Sequence, residues 1–411
     1  MKILFLSEAV SLAHVGRPLV LAKWAKENGV EVHFAASEKG LQKTQAHSFG
    51  FATHPIHTID ENLFYDRVNH AKFFYQADDL IKYVAEEQSL IIRLKPDLIV
   101  SDFRLSASIS AELMGKPLLN LSNAYWSPNH PCPFPAPEAG IFKFLPQITT
   151  DFIFNLLRPL VFKSFGKELN EVRRHFGLNK INDFRKMYTD GTFTGYMDLP
   201  NFIKLEKLPE KHFFLGPVIW CPEIKCNHKT LDNKNNVYIS MGSTGDNTLL
   251  PQVIHAILKN NLNIILSGIN ASEKKLLLKK NPALEGKSII EPLLQADEIL
   301  PFCKLTICHG GSGTVYQSIA KGVPVLCFPK NPDQGLVSIS VTQNNIGRYL
   351  TSKNSNPAAI EKMISECITN EIILQNTKTM RENLHQWDTK KHWVLFLNKF
   401  KTIRKTNKII A

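Results

Sequence analysis

Between positions 309 and 334 the chain reads HGGSGTVYQSIAKGVPVLCFPKNPDQ, and this stretch holds the residues best suited to chemistry. An apolar run, LTIC, stops at His309; a glycine-rich turn then feeds an amphipathic helix. A second apolar run, VPVLCFP, leads to a loop that ends on Asp333 and Gln334. A flexible turn entering a helix presents unpaired backbone N–H groups and the positive end of the helix dipole, which together attract an anion. Gly310 and Gly311 let a phosphate approach the backbone closely, because neither carries a Cβ. Ser312, Thr314 and His309 add side-chain donors. Asp333 and Gln334 can accept from and donate to several hydroxyls, as a sugar requires. The ligand that fits is a diphosphate carrying a sugar.

Such a site needs a parallel sheet beneath it, and the chain supplies the pattern twice. Residues 2–7 read as a short buried strand, the run RPLVLAKWAKENG as a helix, and VEVHFAAS as a second strand. Pro18 near the first turn and Gly29 at the end match the usual helix punctuation. Strand, helix and strand with short links make a βαβ unit. Residues 66–93 are helical in composition, PDLIVSD reads as a strand ending at Asp102, SASISAELMG as a helix and KPLLNLS as a strand. Residues 127–165 break the pattern with prolines and phenylalanines, first irregular and then as an apolar helix, IFNLLRPLVFKSF. They fit either a cover over the core or an apolar wall for a ligand or a membrane. After a polar linker, NVYISMGSTGD opens a second α/β series. The carboxyl ends of the strands in each series line a crevice, where ligands bind in such folds.

Bulk properties set limits. With 411 residues, 44% of them hydrophobic, the chain has material for two cores. Its net charge of +12 fits either a compositional bias or attraction to an anionic membrane face or substrate. Nucleic acid is not an expected partner: zinc-finger spacing, an RNA-recognition aromatic motif and a helix-turn-helix signal are all missing. Seven scattered cysteines point to free thiols in a reducing compartment, hence a cytoplasmic location. Cys221, Cys226 and His228 lie close together without a fourth ligand, so no metal is expected. No run of about twenty uncharged apolar residues occurs, so no transmembrane helix is expected. The tail HWVLFLNKFKTIRKTNKIIA reads as a helix whose basic end suits an anionic membrane surface.

These motifs resemble a known family. HGGSGT, then GVPVLCFP, then DQ resembles the donor-site signature of the inverting UDP-glycosyltransferase superfamily, in particular its bacterial natural-product and lipid branch. VYISMGSTGD resembles that family's entry to its second domain, FFLGP its Gly-Pro segment before the linker, and AHVGRP its turn carrying a catalytic His. The resemblance covers both halves in order. It implies an α/β fold of GT-B architecture, with two Rossmann-like doubly wound domains facing across a cleft. Residues 1–220 would bind the acceptor, 221–236 would link, 237–390 would bind the nucleotide sugar, and the basic helix 391–411 would cross back to the first domain.

Roles follow from the same resemblance. His14 would be the general base and Asp102 would hold its other ring nitrogen. Asp102 could instead cap the helix that follows it. His309 would bind the pyrophosphate, Gly311, Ser312, Gly313 and Thr314 would complete the cradle, and Ser243 and Thr244 would reach the same phosphates. Asp333 and Gln334 would read sugar hydroxyls. Four departures stand out. The tryptophan that stacks on the base in many members is missing from EPLLQADEIL, which leaves base recognition to backbone and apolar contacts near Leu294 and Gln295. Gln317 stands where plant members place a ribose-binding Glu, so UDP and dTDP both remain open. Ala13 and Arg17 replace the usual Gly and Asn around His14.

The expected activity is an inverting hexosyl transfer that needs no metal or cofactor. The donor is a nucleotide sugar, UDP-hexose ahead of a dTDP-sugar, and the acceptor a hydroxyl of a small apolar natural product or lipid. Two rivals are a sugar-nucleotide epimerase or hydrolase on the same fold and a non-catalytic carbohydrate- or lipid-binding relative. A serine hydrolase would need Gly-x-Ser-x-Gly, and position 314 is Thr where the last Gly should be.

Overall fold

The computed structural model describes residues 1–70, 72–136, 145–222, 235–241 and 247–406. Its strands form two sheets. The first contains β1 (Lys2–Ser7), β2 (Glu31–Ala36), β3 (Ala52–Pro55), β4 (Leu98–Asp102), β5 (Leu118–Ser122), β6 (Phe193–Tyr196) and β7 (His212–Phe214). Their spatial order is β3-β2-β1-β4-β5-β6-β7. The second contains β8 (Asn236–Ser240), β9 (Asn263–Ser267), β10 (Ser288–Glu291), β11 (Cys303–Cys308), β12 (Val325–Cys327) and β13 (Gly347–Tyr349), in the order β10-β9-β8-β11-β12-β13. All described pairings are parallel. Both sheets therefore reverse strand order at their centre, between β1 and β4 and between β8 and β11. Ser7 pairs with Asp102 and Ser240 with Cys308, so each central pair ends level and opens one crevice at its carboxyl end.

The central strands are continuous apolar runs because helices cover both faces. Ile3, Leu4, Phe5 and Leu6 are all fully buried, as are Leu98, Ile99 and Val100. Two compact units result. One comprises the described residues of Met1–Pro133, Phe152–Trp220 and Asp388–Ala411; the other, those of Phe134–Asp151 and Cys221–Trp387.

The elements depart from the sequence reading in four places. The first helix spans Ala13–Glu27, so it begins before Arg17, and Pro18 lies inside it. Without an N–H, Pro18 cannot bond the carbonyl of His14 four residues back. Residues 66–93 divide between two helices, Glu61–Asn69 and Ala77–Leu94. The Pro-rich residues fell within the range 1–220 assigned to the first domain, yet the described residues of Phe134–Asp151 belong to the second unit. A Cβ on Gly335 would meet the Pro135 ring at 2.4 Å, and Lys353 Nζ donates to the Leu145 carbonyl at 2.7 Å. The apolar helix after them runs over Gln147–Phe165.

The final helix, Thr389–Lys405, packs on the first unit. Trp393, Phe396, Leu397 and Phe400 are buried in the same core as Leu21 and Ala25. The Trp393 indole donates to the Leu21 carbonyl at 3.0 Å. Its main apolar face is thus spent on the protein, and its exposed side carries polar and basic residues with Leu395. No described helix is long and apolar enough to cross a membrane.

Candidate active site

β1 and β4 deliver the first half-site. His14 lies in the first turn of the helix after β1, and Asp102 is the last residue of β4. His14 Nδ1 is 2.9 Å from Asp102 Oδ1, with the imidazole 24% exposed and the carboxylate 1%. A carboxylate only accepts, so Nδ1 carries the proton and Nε2 keeps its lone pair. Asp102 does not cap a helix, because the next one begins at Ser106 with Leu105 at its N-cap.

Arg17 completes this cluster, although no catalytic role was expected of it. It is one turn on from His14, on the same helix face. Its Nη2 donates to Asp102 Oδ1 at 3.0 Å, and its Nη1 donates to Asn123 Oδ1 at 3.0 Å. Nη2 also lies 3.0 Å from His14 Nδ1. With Nδ1 protonated, that approach brings together two donors sharing one acceptor. Burial works against the charge on Arg17, but Asp102 above all, with Tyr125 and Asp198, holds its pKa above the ordinary value. Asn123 in turn donates to both oxygens of the fully buried Asp198 at 3.2 Å. Asp102 Oδ2 is buried with no hydrogen-bond partner. The Arg17 cation therefore compensates a carboxylate that has lost its water.

Phe103 covers the face of the imidazole. Its ring stacks on His14 with centroids 4.5 Å apart and planes 12° from parallel. To put it there the backbone adopts φ = 57°, the left-handed region that a bulky side chain avoids. Such strain costs about 1–3 kcal/mol and persists only where the surroundings enforce it. Phe64, Phe74 and Tyr188 surround Phe103, and Tyr188 stacks on Trp126 at 4.6 Å. The aromatic surface beside His14 thus comes from these residues. Pro135 packs with the other unit, against Gly335.

The second half-site follows β11. Gly310 has φ = 87°, and a Cβ there would lie 2.4 Å from Ser338 Oγ and 2.8 Å from the Gln334 carbonyl. Only glycine fits, and the close approach brings the loop at 309–311 against Gln334. Gly311 is the N-cap of the helix Ser312–Lys321, so the amides of Ser312, Gly313 and Thr314 open that helix. His309 is buried, which lowers its pKa to about 4 against a hydrogen bond with the Met241 backbone. It is therefore a neutral hydrogen-bonding group at physiological pH, without charge to offer a phosphate.

Other expected residues sit as follows. Asp333 and Gln334 lie in the first turn of the helix Pro332–Gln343. Gln334 is buried, and its Oε1 accepts from the Lys330 amide at 2.8 Å. Gln317 donates to Cys221 Sγ at 3.1 Å, and burial pushes that thiol up to about 11. The Leu294 side chain is buried in a cluster with Tyr238, Ile265 and Ile299. Gln295 is the partly exposed N-cap of the short helix Ala296–Ile299. Ser243, Thr244, Cys226 and His228 lie outside the described residues. Among the described residues no cluster of His, Cys, Asp and Glu has the makings of a metal site.

Comparison with known proteins adds to this geometry. Residues 291–388 match the family described as erythromycin biosynthesis protein CIII-like, C-terminal domain. Over 385 residues, 93% of this chain and 88% of the relative, the chain is 31% identical to a PGL/p-HBAD biosynthesis glycosyltransferase of Mycobacterium tuberculosis. A PGL/p-HBAD biosynthesis rhamnosyltransferase of Mycobacterium bovis is 32% identical over 372 residues, 90% of this chain and 81% of that one. Among solved structures, spinosyn rhamnosyltransferase SpnG complexed with thymidine diphosphate gives a TM-score of 0.67 at 17% identity. That match covers 97% of this chain and 100% of that one. SpnG has also been solved with spinosyn aglycone. At that identity the likeness speaks to the fold: two Rossmann-like, parallel-sheet domains of GT-B architecture.

Proposed function

This chain belongs to the bacterial natural-product glycosyltransferase family, and from that membership we propose a specific reaction. A hexose passes from a nucleoside diphosphate to a hydroxyl of a small apolar acceptor, with inversion at the anomeric carbon. His14 Nε2 takes the proton from the acceptor hydroxyl. Asp102, bonded to Nδ1, fixes the tautomer and stabilises the imidazolium that forms. The acceptor oxygen attacks the anomeric carbon from the face opposite the diphosphate, and the glycosidic bond to phosphate breaks. Negative charge then gathers on the leaving diphosphate. The amides of Ser312, Gly313 and Thr314, the hydroxyls of Ser312 and Thr314, and neutral His309 stabilise it, as preorganised donors do. Asp333 and Gln334 hold the sugar hydroxyls. No step calls for a metal or cofactor.

The observation that supports this reading most is the 2.9 Å contact of His14 Nδ1 with Asp102 at the level ends of β1 and β4. The aromatic residues around Phe103 favour an apolar acceptor. UDP-hexose remains the first donor to try, and the thymidine diphosphate bound by SpnG makes dTDP-hexoses the direct comparison. We place the protein in the cytoplasm, in keeping with the free thiols among the described residues.

The test is mass spectrometry of products made from UDP- and dTDP-hexoses with a panel of apolar alcohols and phenols. Anomeric configuration is read by NMR. His14→Ala should lower turnover by about a thousand-fold. Full activity in that variant, retention of configuration, or product formed without acceptor would each refute the proposal.

A further inference from the structure

The helix Gln147–Phe165 carries an apolar face that no described residue covers. Ile148, Phe152, Leu156 and Leu160 are 86%, 71%, 71% and 68% exposed. At 3.6 residues per turn, side chains four apart advance by about 40°, so these four share an arc of about 120° along roughly 18 Å of helix. Thr149 and Pro159 are exposed within that arc, and Lys163 extends it by one turn. Thr150, Phe154 and Phe162, on the opposite side, are buried. A helix at a water surface ordinarily turns a polar face outward; this one is apolar inside and out.

Charge and area narrow the occupant. The helix has one acid, Asp151, whose Oδ1 accepts from the Ala136 amide and from Gln147 Nε2, both at 2.8 Å. Exposed Lys163 and Lys167 follow the apolar stripe at its C-terminal end. The four side chains expose roughly 500 Å², at the upper end for a monomer's largest apolar patch. That falls short of the roughly 800 Å² per partner of a stable copy-to-copy interface. A bilayer demands no matching shape and rewards an apolar stripe ending in cations.

We propose that this face rests in the headgroup region of an anionic lipid bilayer, with Ile148, Phe152, Leu156 and Leu160 inserted and Lys163 and Lys167 against the lipid phosphates. The proposal goes beyond the transferase reading and does not depend on it. The contact lies on this helix, not on the basic C-terminal helix, where Trp393, Phe396, Leu397 and Phe400 are buried in the core and Leu395 alone among the described large apolar side chains is strongly exposed.

Flotation of the full-length protein with vesicles tests it. One set contains equal parts phosphatidylglycerol and phosphatidylcholine, the other phosphatidylcholine alone. Wild type should float with the anionic vesicles. The double variant Phe152→Asn, Leu156→Asn should bind them about ten-fold or more weakly with an unchanged circular dichroism spectrum. Lys163→Glu with Lys167→Glu should erase the preference for anionic over neutral vesicles. Three results would each overturn the proposal: no flotation of wild type, flotation untouched by the double variant, or loss of flotation only with Lys399→Glu, Lys405→Glu. Light scattering that shows a wild-type dimer dissolved by the double variant would also overturn it, by assigning the face to a second copy.

Discussion

Replacing Glu8 with Gln should stabilise this protein in alkaline solution and do little in acid. Glu8 follows β1, is fully buried, and its amide donates to the Asp102 carbonyl at 3.1 Å. It therefore sits under the loop that carries His14. Arg104 Nη1 lies 3.6 Å from its carboxylate, and the hydroxyls of Tyr75 and Thr58 also favour the ionised form. Burial outweighs them and raises the carboxyl from 4.5 to about 7. The unfolded chain releases this proton near its ordinary pKa, whereas the folded protein holds it until about pH 7. Stability is therefore lost as pH rises through that window and stays low above it. The gap between the two values corresponds to about 3 kcal/mol at pH 8. Gln keeps the shape without the charge, and Arg104 retains Glu87 at 2.6 Å as its partner. Urea unfolding of the full chain, followed by circular dichroism, measures the difference. The variant should exceed wild type by about 2–3 kcal/mol at pH 8 and by less than about 1 kcal/mol at pH 5. An equal difference at both pH values would refute the reasoning. So would a less stable variant at pH 8, which would make Glu8 an ionised partner of Arg104.

Three more substitutions probe the half-sites. Asp102→Asn should cut turnover by about a thousand-fold or more while leaving the KM for the nucleotide sugar nearly unchanged, since an amide no longer enforces the Nδ1–H tautomer; steady-state kinetics checks this. Gly310→Ala should destabilise the second unit by about 1–3 kcal/mol and raise the donor KM, because a Cβ cannot fit beside Ser338 and the Gln334 carbonyl; thermal unfolding and calorimetric UDP binding read both. His309→Ala should weaken nucleoside diphosphate binding by about ten-fold, equally at pH 6 and pH 8, since a group with a pKa of about 4 is uncharged at both; a loss confined to pH 6 would show that the imidazole binds as a cation.

The strands and the glycine turn at 310 were legible because they depend on local pattern. Apolar runs of four to six residues alternating with helical periodicity leave few other arrangements. His14 and Asp102 stood out because one follows and the other ends a central strand. What stayed hidden is made by contacts distant in sequence. Arg17 looked like a substitution in a loop because Pro18 suggested a helix just beginning; the helix in fact starts at Ala13, which puts Arg17 one turn past His14. Asn123 and Asp198 join the cluster only when β5 and β6 come alongside. The left-handed backbone at Phe103 has no signature in a bulky residue's name. Residues 134–151 carry no mark of belonging to the second unit, since Pro135 against Gly335 is a contact across 200 positions.

The closing helix has a practical consequence for anyone who would take this protein apart. The first unit is not a continuous piece of chain: its core is finished by Trp393, Phe396 and Phe400, supplied after the whole second unit has been made. A fragment stopping at Trp220 would leave open the groove that Trp393 fills, and a ribosome that halts early would release a first half still lacking its last wedge. Expression of either half alone should yield aggregates; only the intact polypeptide can be dissected, by point substitution and not by scissors.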